Sequence, residues 1–323
     1  MSIDLPTSPD GAGVLLLTNR SAGTAVVRAD PLPGIRERLP AARIHALTGD
    51  DTPGGVLAAA LAGAEPPRVL GVLGGDGSVA SAAQAARDAG LPLLVLPGGT
   101  FNHFARALGI DTPDAALDAF VAGRGVRVGV AVLDAGEGEM TVLNTGALGI
   151  YPDFVAQRDR LRGRLGKWVA GVVAAVRVLR RADPLEVEID GRRMRVWSVF
   201  VGVGRNSPER IATMQRWLVD DDVLDVRIVH ARGPRVRAMA SLAFGRRTVS
   251  VLRALRLMPR ATDIERVLTP RIEIALRADV ARGIPPFVHD GEVETVATAR
   301  TGGEGPRLSV RVEMLPGSLD VYR

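Results

Sequence analysis

Along its first third the chain alternates short apolar runs with helical stretches. Val14-Leu15-Leu16-Leu17-Thr18 is apolar up to its last residue and ends in Asn19-Arg20-Ser21-Ala22-Gly23. Val69–Leu73 is a second run, closed by Gly74-Gly75, and Leu93–Leu96 a third, closed by Pro97-Gly98-Gly99. Val56–Leu61 is rich in Ala and Leu, and Ser78–Ala89 is rich in Ala; both are helical in character. Short apolar runs without alternation predict strands buried on both faces, hence a parallel sheet covered by helices. Such sheets bind ligands beyond the carboxyl ends of their strands. Here all three exits carry Gly, Ser, Thr or Asn.

After Gly125 the pattern changes. Val126–Leu133 and Met140–Asn144 read as strands. Glu186–Ile189 alternates, Asp190-Gly191 supplies a two-residue turn, and Met194–Val203 returns, which is a strong hairpin signal. Leu224–Val229, Arg271–Leu276 and Leu308–Met314 follow as further strands. The pattern predicts an α/β domain over residues 1–125 and a mainly antiparallel, β-rich domain over residues 126–323. Whether the final strand returns to the first domain is left open by the sequence.

Two helical stretches interrupt the β-rich half. In the first, Leu161, Leu165, Trp168, Val172, Val176 and Leu179 recur at spacings of three and four, the period of one apolar face. Arg158, Arg160, Arg162, Arg164, Lys167, Arg177, Arg180 and Arg181 fill other positions. The second runs over about residues 235–260, within a segment, 231–262, that has eight arginines and no acidic residue. Both fit amphipathic helices packed on the sheet with solvated basic faces. They also fit a surface that docks on anionic lipid.

Composition narrows the classes. A chain of 323 residues has room for two domains. With 46% hydrophobic and 24% charged residues, disorder and fibrous repeats are excluded as descriptions of the whole. The lack of cysteine excludes disulfide scaffolds, thiol nucleophiles, iron–sulfur clusters and Cys-based zinc sites. His45, His103, His230 and His289 are scattered and form no HxxxH pair. Of the 41 basic residues only Lys167 is a lysine, and the net charge is a modest +5. Aromatics at 4% leave little stacking surface, so nucleic acid is not an expected partner. An anionic membrane surface or a phosphate ligand suits the charge better. The longest apolar run, Trp168–Val176, falls short of the ~20 residues a spanning helix needs. The first residues lack the basic start and apolar core of a signal peptide. The predicted location is cytoplasmic, extending to the inner membrane face if the basic helices dock there.

Two segments carry candidate chemistry. Gly74-Gly75-Asp76-Gly77-Ser78 falls at a strand-to-helix junction. Glycines there let the backbone approach a phosphate, successive N–H groups form an anion cradle, and the helix adds its positive end. Asp76 suits such a site if it holds Mg²⁺ or takes a proton from an attacking hydroxyl; otherwise it is a helix N-cap in a tight turn. At the next exit, Pro97-Gly98-Gly99-Thr100-Phe101-Asn102-His103-Phe104-Ala105-Arg106 repeats the glycine chemistry in Gly98, Gly99 and Thr100, with Asn102 placed to cap the following helix.

In order and spacing these segments resemble the diacylglycerol kinase catalytic-domain family, which includes bacterial lipid kinases and sphingosine kinases. The family pattern is Asn-Pro-x-Ser-Gly, then Gly-Gly-Asp-Gly-Thr, then Pro-x-Gly-Thr-x-Asn-Asp-Phe-Ala-Arg. The resemblance is strong over residues 14–110. Looser matches follow at Asn144 with Gly146 and Gly149, at Asp220-Asp221 before Val223-Leu224-Asp225, and at Asp290-Gly291-Glu292. His103 stands where the family has Asp, Asp222 stands for the glycine of an acidic turn, and Gly202–Pro208 departs from the expected Asn-Gly segment.

The resemblance implies a phosphofructokinase-like nucleotide domain, a β-rich lipid domain, and ATP with Mg²⁺ in the cleft between them. It implies that Asn19, Ser21, Gly23, Thr48, Gly74, Gly75, Asp76, Gly77, Ser78 and Thr100 line the nucleotide site, beside Gly98, Gly99 and Asn102 of the second loop. It implies that Glu292, or else Asp290, accepts the proton, although Asp290-Gly291 also reads as a hairpin turn. It implies a further Mg²⁺ held by Asp221 and by the carbonyls of Leu218 and Val223. The expected activity is ATP-dependent phosphorylation of a hydroxyl on a diacylglycerol-like or sphingoid lipid. A soluble-metabolite kinase is one alternative, since phosphofructokinases and NAD kinases also carry Gly-Gly-Asp-Gly. A non-catalytic lipid- or nucleotide-binding homologue, motivated by His103, is another. The lipid's identity and the oligomeric state are not written in the sequence.

Overall fold

The computed structural model describes residues 2–19, 30–136, 138–207, 216, 219–232, 235–240, 250, 254, 256–258, 260–277, 287–290, 292–294 and 307–323. The chain forms two compact units. The first comprises Met1–Ala131, Arg216–Asp222 and Leu315–Arg323, the second Val132–Gln215 and Val223–Met314. The first unit is thus assembled from separate stretches of chain, the last strand contributing its end.

In unit 1, strand β1 (Ser2–Asp4) precedes β2 (Val14–Thr18), α1 (Leu32–Arg38), β3 (Arg43–Ala46), α2 (Pro53–Leu61), β4 (Val69–Gly74), α3 (Asp76–Ala89), β5 (Leu93–Pro97), α4 (His103–Ala107), α5 (Pro113–Val121) and β6 (Arg124–Asp134). Parallel pairing gives the order β5-β4-β2-β3. Every position of β2, β4 and β5 is buried, which is why these runs show no alternation. β3 lies at the edge and is half polar. Thr52 and Thr112 cap α2 and α5 by accepting the N–H groups of Gly55 and Ala115, each with Pro in the first turn. β1 pairs antiparallel with β6. The last strand, β16 (Arg307–Tyr322), pairs in parallel with β5 at Val321. Its buried Tyr322 meets Phe120 edge-on and donates its hydroxyl to the Pro6 carbonyl.

Unit 2 is antiparallel throughout its described pairings. It contains β7 (Glu139–Val142), β8 (Thr145–Gly149), α6 (Ile150–Arg181), β9 (Leu185–Ile189), β10 (Arg192–Val203), β11 (Leu224–His230), α7 (Arg235–Ala240), β12 (Ile264–Thr269), β13 (Arg271–Arg277), β14 (Phe287–His289) and β15 (Glu292–Glu294). The long β10 pairs with β9 along its first half, β8 along its second, and β11 on its other edge. The expected β9–β10 hairpin turns on Asp190 and Gly191, both at positive φ (+47° and +80°), as an Asp-Gly turn of this type requires.

The long helix α6 begins earlier than the sequence pattern suggested and bends at Gly166, whose φ of 72° and ψ of 166° break the helical path. Its inward face also differs from expectation. Among the described side chains of the second half, Ala170, Ala174 and Val178 are buried, whereas Val172 is 64% exposed and Val176 42%. The small residues at four-residue spacing pack against the sheet, and the larger valines turn outward with Val169. The side chains of Leu165, Trp168 and Leu179 lie outside the described residues. Of the second basic stretch, the helix Arg235–Ala240 is described and residues 241–249 are not.

A charged cluster is buried in unit 2. Asp225 on β11 accepts Arg227 Nη2 at 2.9 Å, Arg266 Nε and Nη2 at 2.9 and 2.8 Å, and the Asn206 N–H at 2.9 Å. Burial by itself would raise this carboxyl, but the bonds from Arg266, Arg227 and Asn206 hold it below the ordinary range. Asp225→Asn should therefore cost about 3–5 kcal/mol at neutral pH, because two guanidiniums lose their shared counter-charge. A depressed carboxyl contributes fully above its unfolded pKa of about 4 and loses that contribution as pH falls through the folded value. The stability gap to wild type should stay constant between about pH 8 and 5 and shrink below about pH 4, as urea unfolding across that range will measure.

Candidate active site

The carboxyl ends of β2, β3, β4 and β5 share one edge of the unit 1 sheet, so the segments after them are neighbours. Pairing of β4 with β5 continues into the loops through Gly98 N–H to the Gly74 carbonyl, 2.9 Å. The two glycine loops then meet backbone to backbone. A Cβ on Gly99 would stand 2.5 Å from Gly75 Cα, and one on Gly74 would stand 2.7 Å from Ser78 Cβ. Asn102 adopts φ +51° and folds its amide back on the loop, accepting Gly99 N–H at 2.8 Å and donating to the Gly99 carbonyl at 3.0 Å.

Asn102 therefore does not cap α4 with its side chain. Asp76 does so from the other loop, its Oδ1 accepting the His103 N–H at 2.7 Å. Asp76 is also not the N-cap of its own helix. Gly75 takes that place without any side-chain cap, and Asp76 sits in the first turn, where a negative charge suits the helix dipole. The contact from position 103 to Asp76 uses backbone, so it survives the exchange of Asp for His there. The His103 ring stacks on Phe101 with centroids 5.5 Å apart, and its buried Nδ1 has no hydrogen-bond partner among the described residues.

The remaining nucleotide-loop residues fall at the same edge. Asn19 donates its N–H to the Leu73 carbonyl at 3.3 Å and its Nδ2 to Ser78 Oγ at 3.2 Å, linking the first exit to the second. Thr48 follows β3, and both its N–H and its hydroxyl donate to Asp51 Oδ2 at 2.9 Å. These two bonds and His45 at 3.2 Å hold the Asp51 carboxyl below its usual value. Gly77 is half-buried and Thr100 exposed. Ser21 and Gly23 lie outside the described residues.

Asp290 proves to be a turn residue. It has φ +43°, joins the paired strands β14 and β15, and is buried. Its carboxylate accepts Leu143 N–H at 2.7 Å, Asn144 N–H at 2.8 Å and Thr145 N–H at 3.1 Å. Burial pushes the carboxyl up against the pull of those three donors. Of the readings open for this segment, the hairpin turn is the one observed: the positive φ places Asp290 in the turn, and Glu292 opposite His289 on the next strand. The Glu292 side chain lies outside the described residues. Beside this anchor, Asn144 is buried, and neither of its amide atoms has a hydrogen-bond partner among the described residues. A buried amide of that kind needs a water or a ligand group.

Sequence reasoning missed Arg216. It is buried, donating Nη1 to the Gly129 carbonyl at 3.0 Å and Nη2 to the Val219 carbonyl at 2.6 Å. Burial lowers its pKa to about 10, against the pull of Asp222, Asp221 and Asp220, and it stays charged at neutral pH. Asp222 is held above the ordinary carboxyl range, by desolvation first and by its two acidic neighbours, with Arg216 opposing. Of the expected metal ligands, Leu218 lies outside the described residues, Asp221 is in the turn beside Arg216, and the Val223 carbonyl accepts Gly204 N–H at 2.8 Å. The only available hint to Arg216 was its place four residues before three consecutive aspartates.

Residues 13–133 match the family model of the diacylglycerol kinase catalytic domain. Across the whole chain the fold resembles solved structures from Bacillus anthracis str. Sterne. One, described as a diacylglycerol kinase, is 19% identical with a TM-score of 0.57, and the match covers 96% of each chain. Another, described as a candidate diacylglycerol kinase, is 20% identical with a TM-score of 0.63, covering 98% of each chain. The parallel unit and the antiparallel unit are thus features of a shared fold. The matched family segment contains both glycine loops and Asp76.

The contact between the loops makes a direct prediction. Gly99→Ala pushes Cβ into the Gly75 backbone and should destabilise by about 2–3 kcal/mol. Gly75→Ala places its Cβ 3.6 Å from Gly99 Cα, an ordinary contact. It should cost about 1 kcal/mol, through loss of the glycine N-cap. Equal losses for the two in urea unfolding would mean that the loops are not held in this contact.

Proposed function

We propose that this chain transfers the γ-phosphoryl group of ATP to a hydroxyl of a diacylglycerol-like or sphingoid lipid. The observation that carries the reading is the joining of two glycine loops through Asp76, at the sheet edge where phosphate ligands bind. The first turn of α3 has no side-chain cap, so its N–H groups suit phosphate oxygens. Phosphoryl transfer depends chiefly on positioning and charge neutralisation, which this backbone cradle serves.

The residues present fit a divalent ion at this loop. Asp76 Oδ1 is engaged by His103, and Oδ2 takes no hydrogen bond from the described residues, leaving an oxygen donor suited to a hard cation directly or through water. When bound there, Mg²⁺ would neutralise phosphate charge. Asp76 orients the second loop through the His103 N–H as well, so its carboxylate has a positioning share in the site. Glu292 is the proton acceptor in this reading. Asp290 is committed to three backbone donors, which favours Glu292 of the two carboxylates.

A peripheral site on an anionic membrane, facing the cytoplasm, completes the proposal. Among the described residues no helix is long and apolar enough to cross a membrane. Val169, Val172 and Val176 face outward on α6, with exposed Arg164, Arg177 and Arg180 on the same helix. Apolar side chains set among cations suit the interface of an anionic bilayer.

Radiolabel from γ-labelled ATP should enter a total lipid extract and not a soluble-metabolite pool; label in the soluble pool alone would replace the lipid reading. Asp76→Asn should lower turnover by at least about 100-fold with the fold intact. Glu292→Gln should lose lipid phosphorylation while nucleotide affinity stays within about 3-fold of wild type. Near-normal turnover in either variant removes that residue from the chemistry.

Co-sedimentation tests the surface. Wild type should bind anionic vesicles, weaken as salt rises, and ignore neutral vesicles. Val172→Asp should reduce binding about 10-fold or more without loss of fold, because it charges the exposed apolar stripe. Unchanged binding in this variant would mean that the stripe faces something other than lipid.

A further inference from the structure

We propose that Arg216 is the resident cation of the acidic turn Val219–Asp222 and takes the electrostatic place that a divalent ion was expected to fill there. Two carbonyls in and beside this turn are already engaged by donors of the chain. The Val219 carbonyl receives Arg216 Nη2 at 2.6 Å, and the Val223 carbonyl receives Gly204 N–H at 2.8 Å. Asp220 and Asp222 are exposed, which leaves half-buried Asp221 as the inner carboxylate. A buried guanidinium that already attracts all three aspartates would repel a second cation brought into the same turn.

The arrangement gives the turn a fixed position without metal. Arg216 reaches the Gly129 carbonyl on β6 with one nitrogen and the Val219 carbonyl with another, so a single planar group ties the turn to the strand. Sequence position fits this role: Asp222 stands where the resemblance led us to expect glycine, adding negative charge that a fixed cation balances. Arg216 is thus a positioning residue. Its effect on any chemistry passes through the turn, and the proposal holds whether or not the chain is a lipid kinase.

The test is thermal unfolding of the full chain without nucleotide or lipid, in EDTA and in Mg²⁺ or Ca²⁺. Wild-type Tm should differ by less than about 1 °C between these conditions, or keep any shift unchanged in Asp221→Asn. Arg216→Lys preserves a cation and should stay insensitive to divalent ions at the turn, with a Tm above that of neutral Arg216→Met. A saturable divalent stabilisation of wild type that Asp221→Asn abolishes would overturn the proposal, since the turn would then hold metal. Arg216→Met as stable as Arg216→Lys would overturn it too, since the charge would be irrelevant. If Arg216→Met does not fold, the wild-type, Asp221→Asn and Arg216→Lys titrations decide the question.

Discussion

The candidate site depends on the direct backbone contact between the loops after β4 and β5. Gly99 approaches Gly75 so closely that no Cβ fits on Gly99. The strand pairing therefore continues to Gly98, and the loops lie side by side rather than splaying apart. Only in that arrangement can Asp76 accept the His103 N–H. The glycines serve two ends here: they permit the loops to pack, and they leave backbone N–H groups accessible at the start of α3.

Carboxylates in unit 2 follow a different logic. Asp290 and Asp225 are both buried, and both are held by donors that replace their lost hydration. Asp290 gathers the N–H groups of Leu143, Asn144 and Thr145, which fixes the β14–β15 hairpin against the start of β8. Asp225 gathers two arginines and the Asn206 N–H, which fixes the segment after β10. Both carboxylates fasten segments distant along the chain. The same holds for Arg216, whose charge is spent on carbonyls and on the neighbouring acidic turn.

The surface of α6 shows how packing selects a face. Two apolar ridges compete along this helix, and one of them must remain outside. Alanine lets the helix backbone approach the sheet closely, so Ala170, Ala174 and Val178 go in, and the valines of the other ridge stay out. An exposed apolar stripe on a helix rich in arginine is the feature that links this unit to a bilayer in the proposed function.

The sequence by itself determined which runs of unit 1 are strands: three unbroken apolar runs closed by small polar or glycine residues became buried parallel strands with loops at one edge. It also determined the β9–β10 turn, because Asp-Gly satisfies a local backbone requirement that needs no distant partner. Those features rest on local pattern, and Asp76 and the glycine loops were legible for that reason. Tertiary structure alone decided that Asp76 caps the other loop's helix, that Asp290 faces backbone donors, and which ridge of α6 is buried. It alone decided that residues 216–222 join the first unit, with Arg216 at their start. Each of these is a competition among alternatives that look equal in sequence, and contacts between residues distant along the chain settle it, since desolvation and packing depend on what lies across the fold.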